Sequence, residues 1–244
     1  MIELAKNGFS AVLMHFRGCS GKANLLPRSY HSGDTADALE FLAKLKKDCP
    51  NAKLFGVGYS LGANMLLKLL GEMAEDSPFT AALAISAPMR LDICANAMNK
   101  GLSRFYQRRI LKDLIRALRI KYEKHDMRSL IGLRKEEISD LKTFWEFDEA
   151  YTAPIHGFSS ALDYYEKCSS RQYLKNVKTP TLIIHALDDP FMMPEILPQS
   201  GELSNSVRLE ISECGGHVGF IAGSLFKPIY WSEKRMIEFF REFL

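Results

Sequence analysis

Leu54-Phe55-Gly56-Val57-Gly58-Tyr59-Ser60-Leu61-Gly62-Ala63-Asn64-Met65-Leu66-Leu67-Lys68-Leu69-Leu70-Gly71 decides the reading of the fold. An apolar run reaches Val57, five residues of the form Gly-x-Ser-x-Gly follow, and a helix-forming stretch begins at Gly62. This is strand, sharp turn and helix, with a serine at the apex. A serine held in a strained turn needs neighbours without bulk, because strand and helix pass close on either side. Gly58 and Gly62 are read as the residues that leave that room. The helix directs its N-terminus at the serine, so the Leu61 N–H and the helix dipole favour an oxyanion there.

The pattern on either side extends this unit. Phe9-Ser10-Ala11-Val12-Leu13-Met14-His15-Phe16 reads as a first strand, after a short helix that stops at Gly8. Four more strands are expected at 53–58, 81–86, 181–186 and 207–211, with helices at 34–48, 62–73 and 231–243. Such alternation predicts an α/β fold with a mostly parallel sheet and helices on both faces. Ligands then bind beyond the carboxyl ends of the strands. The strand pattern stops after Pro88 and resumes at Pro180. Helical segments fill the interval at about 90–100, 103–125, 134–150 and 158–176. The expected organisation is a core of residues 1–88 and 179–244, with a helical cap insertion over 89–178.

A serine nucleophile needs a base, and the base needs an acid to orient it. Both are present in the last third of the chain. The strand Thr181–Ala186 exits into Leu187-Asp188-Asp189-Pro190-Phe191. Val207–Ile211 alternates as a strand and leads into Cys214-Gly215-Gly216-His217. A histidine after two glycines, in a loop past a strand, can swing its ring into a cleft. His217 is therefore the candidate base. Asp189, standing directly before the Pro190-Phe191 turn, is the preferred acid, with Asp188 as the alternative. His185 lies inside a strand and reads as a core or supporting residue. Cys214 has no second Cys–His pair at metal-ligand spacing, which argues against zinc.

Five blocks, in order along nearly the whole chain, resemble the YheT-like branch of the α/β-hydrolases. They are His15-Phe16-Arg17-Gly18-Cys19-Ser20-Gly21, Tyr30-His31-Ser32-Gly33-Asp34, Gly58–Met65, Ala186–Phe191 and Gly215–Phe220. The resemblance implies an α/β-hydrolase fold and an esterase or lipase-like activity. It implies Ser60 as nucleophile, Asp189 as acid and His217 as base. The family usually has glycine where this chain has Ala63, a residue still small enough for the helix to sit against the sheet. It also has several strands ahead of the one read at 9–16, and an H-G-x-x-G-like loop that donates a second oxyanion N–H. No such segment precedes Phe9. The expectation is an N-terminally incomplete sheet: a fragment, a start assigned too late, or a shortened sheet that has closed the gap. Loss of one oxyanion donor typically slows such a reaction by about 10²–10³-fold.

Composition adds bounds. The 244 residues are 47% hydrophobic and 25% charged, as in a soluble globular protein, and the net charge of +3 offers no case for nucleic acid as partner. Five scattered cysteines at 19, 49, 94, 168 and 214 fit reduced thiols in a cytoplasmic protein. No signal peptide and no run of about 18 apolar residues is present, so no transmembrane segment is expected. The segment Arg104–Lys121 is basic and amphipathic. It reads first as the solvated outer face of a cap helix, with contact to an anionic membrane as the alternative. The aromatic residues of the insertion are read mainly as packing, a few of them as the wall of an acyl pocket. Arg17 is read first as holding its loop, for instance through Asp34, with anchoring of a substrate carboxylate or phosphate as the alternative, and His31 and His156 are given no chemistry.

The expected activity is thus cleavage of a carboxylic ester through an acyl-enzyme on Ser60, Asp189 and His217. Leu61 supplies one oxyanion donor, and the substrate is a small ester with an apolar acyl chain. No metal or cofactor is required. The competing expectation is a non-catalytic or inactive truncated form that serves as a binding protein. Acyl transfer to an acceptor other than water would use the same three residues.

Overall fold

The computed structural model describes residues 1–224 and 226–244. In chain order its helices and strands are α1 (Ile2–Lys6), α2 (Ala36–Asp48), β1 (Leu54–Tyr59), α3 (Leu61–Met73), β2 (Phe79–Ile85), α4 (Leu91–Ala97), α5 (Ser103–Tyr122), α6 (Met127–Ile131), α7 (Phe144–Phe147), α8 (Ala153–His156), α9 (Ala161–Cys168), β3 (Thr181–Ala186), β4 (Val207–Ser212), β5 (Ile221–Ser224), β6 (Lys227–Tyr230) and α10 (Trp231–Arg241). They fall into two compact units, one of Met1–Met14, Ser32–Met89 and Ser169–Leu244, the other of His15–His31 and Arg90–Cys168.

The first unit is built on a four-stranded sheet in the order β1-β2-β3-β4, with every neighbouring pair parallel. Its central strands are apolar on both faces, as a parallel sheet covered by helices requires. The two-residue period sorts them cleanly. Ala81, Leu83, Ile85, Leu182, Ile184 and Ala186 pack with Met236, Phe239 and Phe240 of α10. Ala84 and Ile183 point the other way, onto Ala63 and Leu67 of α3. Helix α3 is buried nearly all round, including polar Asn64. That amide stays satisfied: Nδ2 donates to the Ser32 carbonyl at 2.9 Å, and Oδ1 accepts from the Ser170 N–H at 2.9 Å.

The sequence reading needs correction at four places. Phe9–Phe16 is not a strand. Its apolar run suits one, but a strand exists only through a ladder to a neighbour, and among the described residues none pairs with it. A single helix at 134–150 is replaced by a 3-10 turn at Lys135–Asp140, then α7 and a π turn at Asp148–Thr152. The restart is local: Thr143 Oγ1 accepts from the Glu146 N–H at 3.2 Å and Glu146 accepts from the Thr143 N–H at 3.1 Å, forming a capping box. The segment 158–176 likewise ends its α-helix at Cys168, because the Ser170 and Arg171 N–H groups go to Asn64 Oδ1 and to the Met89 carbonyl. Finally, β5 and β6 form an antiparallel pair that was not foreseen.

Among the described residues, the second unit carries two small cores of its own. One gathers Leu111, Leu118, Met127, Ile138, Phe147 and Tyr151. The other gathers Leu91, Ala95, Ala161, Tyr164, Tyr165 and Cys168, with Phe144, Trp145 and Phe158 against it. The loop at 15–31 belongs to this unit through polar anchors. Lys121 Nζ donates to the Leu26 carbonyl at 2.6 Å, and Tyr151 Oη donates to the Pro27 carbonyl at 3.0 Å.

Candidate active site

Strand β1 ends at Tyr59 and α3 begins at Leu61, so Ser60 alone makes the turn. Its φ of 49° and ψ of −119° lie where a side chain is strained, at a cost of roughly 1–3 kcal/mol. The surroundings hold it there. The Ser60 N–H donates to the Ile85 carbonyl at 2.8 Å, and the Ser60 carbonyl accepts from the Ala63 and Asn64 N–H groups at 2.9 and 3.1 Å. Gly58 has the role expected of it: a Cβ there would stand 2.6 Å from Ala63 Cα and from the Gly62 carbonyl. Gly62 does not, since a Cβ at that position meets nothing within 4 Å. The crowding lies on the strand side of the elbow only.

Two loops, after the carboxyl ends of β3 and β4, converge on Ser60. His217 Nε2 lies 2.8 Å from Ser60 Oγ, and His217 Nδ1 lies 2.8 Å from Asp189 Oδ2. The Asp189 side chain is fully buried and that of His217 is 18% exposed. The second oxygen of Asp189 is occupied too, accepting from the Phe191 N–H at 2.9 Å. A carboxylate fixed through both oxygens presents one geometry to the imidazole. The Phe191 ring then packs edge-on against His217, with centroids 4.7 Å apart.

The loop bearing His217 is tied at each end. Asp188 Oδ1 accepts from the Gly215 and Gly216 N–H groups at 2.9 and 2.8 Å. Beyond the histidine, Phe220 enters the core, and its N–H donates back to the Gly215 carbonyl at 2.9 Å. Between these anchors the His217 carbonyl accepts a hydrogen bond from Ser86 Oγ. Asp188 and Asp189 thus divide the work: one holds the loop, the other meets the ring. Sequence reasoning did not single out Ser86 or Phe191. Position past the end of β2 was the only available signal for Ser86, and proximity to Asp189 the only one for Phe191.

Leu61 is the first residue of α3, so its N–H has no acceptor within the helix and stands beside Ser60. His185 is buried in β3, and among the described residues its Nδ1 has no hydrogen-bond partner. Burial lowers its pKa, with Asp189 opposing and His217 acting in the same direction, which favours the neutral ring. In the second unit His31 and His156 pack edge to face at 4.5 Å, and burial pushes His156 down to about 4.

A family model described as the alpha/beta hydrolase fold matches residues 1–224. The chain belongs to the α/β-hydrolases. Within them it is a YheT-like member: the Escherichia coli (strain K12) protein YheT, named as a candidate esterase, is 42% identical over all of this chain and 72% of its own length. A monoacylglycerol lipase of Saccharomyces cerevisiae is 31% identical over 88% of this α/β-hydrolase, which spans 49% of the yeast protein. The Pyrococcus furiosus esterase Pf2001 superposes with a TM-score of 0.56 at 16% identity, covering 99% of this chain and 74% of that one, a likeness of fold. Among the described residues no helix is long and apolar enough to cross a membrane.

Proposed function

We propose that this α/β-hydrolase is a serine hydrolase of carboxylic esters. One observation carries the reading: a buried carboxylate, an imidazole and a strained serine hydroxyl stand in one hydrogen-bonded line, 2.8 Å at each link. His217 takes the proton of Ser60 as the serine oxygen bonds to the ester carbonyl carbon. Asp189 holds the tautomer that leaves Nε2 free to accept and stabilises the imidazolium. The Leu61 N–H faces the oxygen on which negative charge develops. Collapse expels the alcohol, which takes the proton from His217 and leaves an acyl-serine. Water then attacks that acyl group, His217 again accepts a proton, and the free acid leaves with Ser60 restored.

The substrate class is a small ester with an apolar acyl chain. It is supported by the esterase and lipase names of the YheT and yeast relatives, the chain spanning 72% of one and 49% of the other. A reducing cytoplasm agrees with five cysteines, none of them in a disulfide.

The test is labelling with a fluorophosphonate, read by intact mass, alongside hydrolysis of p-nitrophenyl esters of rising chain length. A single phosphonyl adduct is expected, absent in Ser60→Ala and reduced at least about 10³-fold in rate in His217→Ala. A folded chain that neither labels nor hydrolyses any ester would overturn the reading.

A further inference from the structure

We propose that α5 docks this protein onto an anionic lipid surface, its N-terminal ridge entering the interface while its cations engage headgroup phosphates. The helix is 20 residues long, and its inward stripe is already satisfied. Leu111 and Leu118 lie in the second unit's core. Between them and the helix start, Gln107 donates to Asn99 Oδ1 at 2.9 Å and accepts from the Phe144 N–H at 2.9 Å.

The surplus lies outside. Leu102 at the N-cap is 76% exposed, Phe105 65%, Tyr106 55% and Ile110 43%. Their spacing of i, i+3, i+4 and i+8 makes one continuous apolar stripe on the outward side. Large side chains so exposed in a contiguous stripe mark an interaction surface, where single ones need no explanation.

Charge chooses the partner. Arg104, Arg108, Arg109, Lys112, Arg116 and Arg119 stand exposed on α5 against a single acid, Asp113, while Lys121 is buried against the 15–31 loop. The whole chain is only +3, so the rest of it is net negative and the positive charge is concentrated on this helix. Asp113 is itself flanked by Arg109 and Arg116 at 3.9 and 3.6 Å. Beside the helix runs a groove of about 630 Å³, floored by Leu111 and Leu141 and edged by Arg104, Arg108, Lys112 and Arg119. Among the described residues no carboxylate lines it. Low overall hydrophobicity, an exposed apolar stripe and dense flanking cations are what a helix lying in a membrane interface needs. The sequence alone favoured a solvated face here. The exposure of Leu102, Phe105, Tyr106 and Ile110 reverses that preference.

The experiment is co-sedimentation of the purified chain with phosphatidylcholine vesicles, with and without phosphatidylglycerol. Binding is expected only when phosphatidylglycerol is present, and to weaken as salt is raised. Leu102→Ser/Phe105→Ser and Arg108→Gln/Lys112→Gln should each lower partitioning by about tenfold or more. Lys46→Gln/Lys47→Gln, which removes the same charge from the exposed end of α2, should leave it unchanged. All altered side chains are exposed, and matching thermal unfolding curves check that the variants fold. The proposal is overturned by absence of binding to the mixed vesicles, by equal binding to both kinds, or by α5 variants that bind like the parent. It is also overturned if sedimentation velocity shows self-association that Leu102→Ser/Phe105→Ser abolishes, because a second copy would then cover the ridge.

Discussion

Ser86 donates its hydroxyl to the main-chain carbonyl of His217, joining the exit of β2 to the loop that follows β4. Ser86 is fully buried and has a φ of 52°, so the strand end is shaped to deliver that bond. Ser86→Ala should leave the carbonyl without this donor and loosen the ring's seat. The expected outcome is an unfolding free energy lower by about 1 kcal/mol and a kcat reduced about three- to tenfold with KM little changed. Denaturant titration and steady-state kinetics check it together.

The neighbouring carboxylates should separate in kinetics as they do in space. Asp189→Asn keeps the shape but presents the wrong hydrogen-bonding group to His217 Nδ1, and kcat should fall about 10³–10⁴-fold. Asp188→Asn keeps an oxygen for the Gly215 and Gly216 N–H groups, so its loss should stay within about tenfold. Equal losses in the two variants would contradict this division.

The two glycines of the elbow should also differ. Gly58→Ala drives a methyl into Ala63 and the Gly62 carbonyl and should destabilise the fold by about 3 kcal/mol. Gly62→Ala finds open space in the first turn of α3 and should be neutral or stabilising by about 0.5 kcal/mol. Thermal or urea unfolding of both variants provides the comparison.

In the second unit, Asp148 opens the π turn and accepts from Thr152 Oγ1 and Tyr165 Oη at 2.6 Å each. Burial raises its pKa to about 6, against the opposing effect of those two donors. The folded state therefore holds a proton that the unfolded chain releases at lower pH. Stability from this group is greatest below the unfolded pKa and declines as pH rises towards 6, by roughly 3 kcal/mol in all. Asp148→Asn should flatten that window. Unfolding free energies of parent and variant should be similar at pH 4.5 and diverge most at pH 8, where the parent holds an ionised carboxylate in a buried site and the variant a neutral amide.

Local order along the chain determined much of this protein. Gly58-Tyr59-Ser60-Leu61-Gly62 between an apolar run and a helix-forming run is a contiguous unit, so strand, turn and helix were legible without knowledge of anything distant. The same holds for β2, β3 and β4 and for α10, whose periodicities are self-contained. What required the tertiary structure was every choice that depends on a partner far along the chain. Phe9–Phe16 has a strand's pattern, yet a ladder needs a neighbour, and among the described residues none pairs with it. Sequence separated Asp188 from Asp189 only by the latter's place before Pro190. Only the fold, by setting the Gly215–Gly216 amides beside one and the His217 ring beside the other, made them different. Gly62 matched the motif but not the crowding, because distance to a neighbouring backbone is not written in a motif. The outward ridge of α5 belongs to the same class: its periodicity was visible in the sequence, but which stripe faces the core is settled by what packs against the other side.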